Sequence, residues 1–160
     1  MGYDIAQVCP NGHTANDSYQ EYPEFNKQFC EKCGEKTITH CPKCNGPIQG
    51  AYHSEGVIGV FEYTPPGYCH HCGNAFPWTE RKILAAMELS VEEGHLDKEE
   101  SMILEQSIKE IVRETPQTQA AANRFKKIMV KAGASTAGAV RDILVDIVSE
   151  TAKKIIWPEK

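Results

Sequence analysis

The chain has 160 residues, a formal charge of −5, seven cysteines and six histidines, with 41% hydrophobic and 24% charged residues. That length allows one ordinary domain or two small ones, and small domains bury too little apolar surface to stand without help. The acidic balance disfavours a phosphate-backbone binder, whose affinity comes from lysine and arginine, and no apolar run nears the roughly 20 residues that cross a bilayer.

All seven cysteines lie between Cys9 and Cys72. The opening "MGYDIAQVCP" lacks a basic start followed by an apolar core, so a soluble, cytoplasmic and reducing setting is expected, where paired thiols hold metal more often than they form disulfides. Residues 1–78 are rich in Gly, Pro, Cys and aromatics, with short β-prone pieces such as "VIGVFEY" at 57–63 and no helical period. Residues 1–80 carry four lysines against nine carboxylates, whereas 81–160 carry thirteen charges of each sign. The acidity therefore belongs to the cysteine half. Two zinc ions on seven thiolates would add a further −3, since a ligating thiol loses its proton.

Three cysteine pairs have the spacing of zinc knuckles: "CEKC" at Cys30 and Cys33, "CPKC" at Cys41 and Cys44, "CHHC" at Cys69 and Cys72. Zinc takes four ligands in a tetrahedron, and two ligands on one tight turn supply half of that set. The turn favours a left-handed residue after its second ligand, and Gly34, Gly73 and Asn45 with Gly46 stand there. Cys9 has no partner thiol, but "CPNGH" puts His13 four residues on, with Asn11 and Gly12 to let the backbone turn. An imidazole reaches further than a thiol, so His13 is the expected eighth ligand.

The inventory becomes Cys9, His13, Cys30 and Cys33 for one zinc, and Cys41, Cys44, Cys69 and Cys72 for a second, both structural. Seven residues separate Cys33 from Cys41, which favours sequential pairing over the cross-braced pairing of RING domains and leaves the latter as an alternative. In the second site 24 residues lie between the knuckles, enough for a ribbon-type β-hairpin that includes "AYHSEGVIGVFEY". His40, His70 and His71 are expected to face solvent or to lie beside the ligands, and His53 and His95 to be surface residues.

A helical region of about four helices is predicted over 79–160, opened by Pro77 and Thr79. "TERKILAAMELSVEEG" sets Ile83, Leu84, Met87 and Val91 at helical spacing. "DKEESMILEQSIKEIVRE" begins with Asp97 and Glu100 at capping-box spacing and offers Met102, Ile103, Ile108, Ile111 and Val112. In "TPQTQAAANRFKKIMVKAG" Thr115 is the expected cap with Pro116 in the first turn, and Ala121, Phe125, Ile128, Met129 and Ala132 form the apolar face. "STAGAVRDILVDIVSETAKKIIWP" is predicted as one long helix with Val140, Leu144, Ile147 and Ile155 on one stripe. Together the two halves define an α+β chain, tandem zinc ribbons of short β-hairpins followed by an all-α region.

No catalytic constellation is written beside these elements. Both inferred metal sets are closed, whereas catalytic zinc keeps an open position, and every thiol is already assigned. "GASTAG" at 133–138 is followed by Ala139 and Val140, without the lysine and hydroxyl of a phosphate loop. Asp142, Asp146 and Glu150 form an acidic stripe, and Arg124, Lys127 and Lys131, with Lys126 beside them, form the one local basic patch. Both are expected to be solvated faces, the basic one also open to an anionic partner.

The stretches "VCPNGH", "FCEKCGEKTITHCPKCNGPIQG", "PGYCHHCGNAFPWTERK" and "RDILVDIVSETAKKIIW" together resemble a bacterial family known as a domain of unknown function with zinc ribbons, over nearly the whole chain. The resemblance implies a small bacterial cytoplasmic protein with tandem ribbons, and it supplies no activity. The expected role is a non-enzymatic adaptor or scaffold that joins a protein partner or its own copies through the C-terminal helices. Nucleic-acid binding, which many ribbons perform, is the alternative that the acidic half disfavours, and a RING-like module is a third.

Overall fold

The computed structural model describes residues 2–59 and 61–159. They divide into two compact units, Met1–Arg81 and Lys82–Lys160, and the division falls within the first α-helix.

In the first unit β1 (Gly2–Ile5) pairs antiparallel with β4 (Gln49–His53), with Gly2 opposite His53, Tyr3 opposite Tyr52 and Ile5 opposite Gln49. A shift of register between Tyr3 and Ile5 marks a bulge. The short strands β2 (Gln7–Val8) and β3 (Thr14–Asn16) form a second antiparallel pair, whose turn is the "CPNGH" stretch itself. Each remaining knuckle is closed by a bridge at its base: Phe29 with Lys36, His40 with Pro47, Tyr68 with Ala75. A core of Ala6, Val8, Ile48, Phe76 and Trp78 includes the thiols Cys41 and Cys69. Phe76 and Trp78 stack at 4.5 Å between ring centroids, and the Trp78 indole N–H donates to the Pro66 carbonyl at 2.9 Å. An aromatic N–H buried with its partner retains the apolar benefit of the ring without an unpaired donor.

The hairpin expected within "AYHSEGVIGVFEY" does not form: Ala51–His53 belong to β4, whose partner is β1, and none of residues 54–59 or 61–66 is in a strand. Val60 lies outside the described residues. Once β4 takes β1 as its neighbour, the β-prone side chains Val57, Ile58 and Phe61 lose their pairing edge and stand exposed, while Tyr63 turns inward and donates its hydroxyl to the Gln49 carbonyl.

In the second unit the helices are α1 (Pro77–Glu93, entering from the first unit), α2 (Lys98–Ile111), α3 (Thr118–Ala132), α4 (Ala134–Leu144) and α5 (Glu150–Ile156). Helix α3 is the hub, packed against α2, α4 and α5. Its buried face is Thr118, Ala121, Ala122, Phe125 and Met129, and Leu104, Ile108, Ile111, Val140, Leu144, Val148, Ala152 and Ile156 are further buried apolar residues of α2, α4, α5 and the turns beside them. The capping box of α2 is formed: Asp97 accepts from the Glu100 N–H at 2.8 Å, and Glu100 accepts from the Asp97 N–H at 3.0 Å.

Three helical expectations are corrected. The last helix is two, because the chain breaks after Leu144 and restarts where Ser149 caps α5; the Ser149 N–H donates to the Ile111 carbonyl of α2 instead of continuing the helix. The buried stripe is consequently Val140, Leu144, Val148, Ala152 and Ile156, with Ile147 and Ile155 only half-buried. Helix α3 begins at Thr118, since the Thr115 hydroxyl accepts from the Gln117 N–H and closes a local turn that holds Pro116 outside the helix. In α2 the expected Ile108, Ile111 and Val112 are buried together with Leu104 and Ser107, whereas Met102 and Ile103 are exposed; in α1 Ala86 and Ser90 are fully buried, whereas Leu84 and Val91 are exposed. The buried serines return their hydroxyls to the carbonyls one turn back, Ser90 to Ala86 and Ser107 to Ile103, and so cost no unpaired polar group.

Candidate metal centres

The three CxxC knuckles repeat one backbone design. The first cysteine's N–H donates to the carbonyl five residues on, and its own carbonyl accepts from the N–H four residues on; in the first such knuckle these bonds are 2.8 Å each. That closure forces the residue after the second cysteine into the left-handed region, with φ of 75° at Gly34, 61° at Asn45 and 74° at Gly73. Asn tolerates this conformation among non-glycine residues. Gly46 serves another purpose, because a Cβ there would fall 2.5 Å from the His71 ring carbon Cδ2. The Cys9–His13 turn is one residue longer, and its positive φ, 89°, lies at Gly12, before the second ligand instead of after it.

Folding brings the eight side chains together as two groups, Cys9 with His13, Cys30 and Cys33, and Cys41 with Cys44, Cys69 and Cys72. The grouping is sequential, not cross-braced. In the first, Cys9 Sγ lies 3.7 Å from Cys33 Sγ, and His13 Nδ1 lies 3.5 Å from both Cys9 Sγ and Cys30 Sγ. In the second, Cys41 and Cys72 are 3.8 Å apart and Cys44 and Cys69 3.6 Å. A tetrahedral zinc with sulfur at about 2.3 Å and nitrogen at about 2.0–2.1 Å demands sulfur–sulfur edges of about 3.8 Å and sulfur–nitrogen edges of about 3.5–3.6 Å. The donor sets therefore fit one such ion each. No pair approaches the roughly 2.05 Å of a disulfide, and all seven thiols are free.

Hydrogen-bond donors surround several of the sulfurs. N–H groups of His13, Lys32 and Gly46 point at Cys9, Cys30 and Cys44, each at 3.4 Å. Hydrogen bonds from the Asn11 side chain and then the Glu35 backbone hold the Cys33 thiol down to about 6. The Asn74 side chain and backbone do the same for Cys72, also to about 6, with the amide 3.3 Å from the sulfur. Burial, by contrast, pushes the Cys9 thiol up to about 11. A bound cation would take all of these sulfurs as thiolates. Asn11 is oriented for its task by Arg81, whose guanidinium donates to its side-chain oxygen at 2.8 Å and leaves the amide nitrogen for the sulfur. The sequence pointed to Asn11 only as a turn residue, although it and Asn74 share the signal of an asparagine two residues after a cysteine.

His40, His70 and His71 are exposed, the last two with rings 4.1 Å apart, and none joins either group. His95 is exposed as expected. His53 is not: pairing of β4 with β1 turns it inward, its side chain is 32% exposed, and its Nε2 is buried 3.7 Å from Asp4 Oδ2.

The family model described as "Uncharacterized protein conserved in bacteria (DUF2321)" matches residues 2–156, and the chain belongs to this family. No curated protein and no solved structure matches the chain. No helix among the described residues is long and apolar enough to cross a membrane.

Proposed function

We propose that the chain is a non-enzymatic scaffold in which two structural zinc ions fold a small N-terminal module and the helices beyond it engage a protein partner or further copies of the chain. The observation that carries this reading is the pair of complete four-donor sets at tetrahedral edge distances, Cys9, His13, Cys30 and Cys33, and Cys41, Cys44, Cys69 and Cys72. Four protein donors leave no position for substrate or water, which suits an ion that holds structure. Zinc bound there supplies folding energy to a unit with a small apolar core.

The association half of the proposal rests on exposed apolar side chains in the helical unit: Leu84 at 68%, Met102 at 63% and Val130 at 77% exposure, with Val91 and Ile103 also exposed. Large apolar groups left in water on a small unit mark surfaces that another molecule covers. Light scattering at high concentration is expected to give a mass above the 17.8 kDa of one chain, lowered by Leu84→Glu or Met102→Glu. A monomer throughout overturns self-assembly. Salt-sensitive retention on DNA or RNA would transfer the proposal to nucleic acid, against the −5 charge of the cysteine half.

A further inference from the structure

The two cysteine clusters leave one group of metal-type side chains unused, Asp4, Glu21 and His53, whose donor atoms all lie within 4.8 Å of one another. Strand pairing assembles it: Asp4 is in β1, and His53 ends β4 opposite Gly2. Glu21 is fixed beside them because its N–H donates to Asp4 Oδ2 at 2.9 Å. The Asp4 side chain is 4% exposed, and its Oδ1 accepts from the N–H groups of Ile5 at 2.6 Å and Gln20 at 3.0 Å.

One acceptor direction of Asp4 Oδ2 remains, and across from it at 3.7 Å is His53 Nε2, a buried nitrogen without a hydrogen-bond partner among the described residues. That separation exceeds the roughly 2.7–3.2 Å of an N–H···O bond. It matches two donors held at about 2.0–2.2 Å by one ion and subtending roughly 120°. A buried nitrogen without a hydrogen-bond partner, facing one carboxylate with a second in reach, is a donor set of metal-binding type.

We infer that Asp4, Glu21 and His53 form a third metal centre, for a divalent transition-metal ion, distinct in kind from the two cysteine clusters. Its donors are two carboxylates and one imidazole, so it binds more weakly than a thiolate set and exchanges its ion. Three protein ligands leave coordination positions open. Of the three, His53 also lines a groove of about 1100 Å³ with Tyr3, Asp17, Tyr22 and Tyr52.

The test is a cobalt titration of the full chain with zinc counted in parallel. Protein dialysed against metal-free buffer is expected to retain two zincs and to take up a third only with free zinc in the buffer. With cobalt, two equivalents give intense thiolate charge-transfer bands in the near ultraviolet, and the third adds only weak visible absorption. His53→Ala and Glu21→Gln are each expected to reduce saturation from three equivalents to two and leave the charge-transfer bands intact; His95→Ala leaves all three. Glu21 is exposed, so its variant reads the site even where His53→Ala disturbs folding. Saturation of the unaltered protein at two, as an imidazolium–carboxylate pair alone would give, overturns the inference. So does a third equivalent that survives both variants or that disappears with His95.

Discussion

In the N-terminal unit the buried side chains include the thiols of Cys9, Cys30, Cys41 and Cys69 beside a small apolar set of Val8, Ile48, Phe76 and Trp78, whereas in the helical unit the deepest are Leu104, Ile108, Ile111, Phe125, Val140 and Leu144. The first unit has two strand pairs of two to five residues each, joined by turns that need glycine or asparagine at positive φ. Strands this short supply few cross-strand contacts, and an isolated hairpin is marginal at best in water. The second unit has a hub helix with an apolar face packed on three neighbours, which is the ordinary source of helical stability in proteins. On the proposed reading one chain relies on coordination chemistry at one end and on apolar burial at the other, and that contrast can be broken from either side.

Metal removal should have the largest effect and a one-sided one. Structural zinc contributes on the order of 10–16 kcal/mol in small zinc modules at neutral pH. A strong chelator is therefore expected to abolish the slow amide exchange of residues in the first unit, while the helical circular dichroism contributed by α2–α5 persists. Simultaneous loss of both would mean that the helices depend on the ions as well.

The complementary break is Phe125→Ala. Phe125 is 1% exposed at the centre of α3 and packs edge-on against Trp157 at 6.3 Å. Truncating a buried phenylalanine costs about 3–5 kcal/mol, so the helical unit should unfold or melt far earlier while zinc content stays at two per chain. Smaller is Asp97→Ala, which removes the side-chain half of the α2 capping box at a cost of about 1 kcal/mol, read as a lower midpoint in denaturant for the helical signal alone.

The smallest effect is on pH dependence. Hydrogen bonds from the Thr151 N–H and then its hydroxyl hold the Glu114 carboxyl below its ordinary value of 4.5. A carboxyl whose folded pKa is depressed contributes stability above its unfolded value and loses it as pH falls through the folded one. Helical stability should thus decline below about pH 4.5, and Glu114→Gln should flatten that part of the profile, as measured by denaturant midpoints across acid pH.

The metal-type side chains were legible because knuckle chemistry is local. A cysteine pair two apart with glycine or asparagine after it specifies its own turn, and the count of seven thiols and one imidazole closed as two sets. Spacing favours sequential pairing and leaves the cross-braced alternative open, and the folded chain groups the eight side chains sequentially. What escaped depended on residues far apart in the chain. Nothing near "VIGVFEY" reveals that β4 is already taken by β1, and the same pairing carried His53 inward toward Asp4. In the helices, periodicity located the segments and the buried Ile108, Ile111 and Val112 of α2, but it passed over small buried residues such as Ala86, Ser90 and Ser107. The break between α4 and α5 has only Ser149 as its local signal, and that serine acts through a long-range bond to Ile111.

The most direct test is zinc K-edge X-ray absorption on protein dialysed until only tightly held metal remains. The account predicts two zincs per chain sharing seven sulfur neighbours at about 2.3 Å and one nitrogen at about 2.0–2.1 Å, with no further oxygen shell. Fewer than two ions, or an oxygen donor bound to them in place of a sulfur or the imidazole, would contradict it.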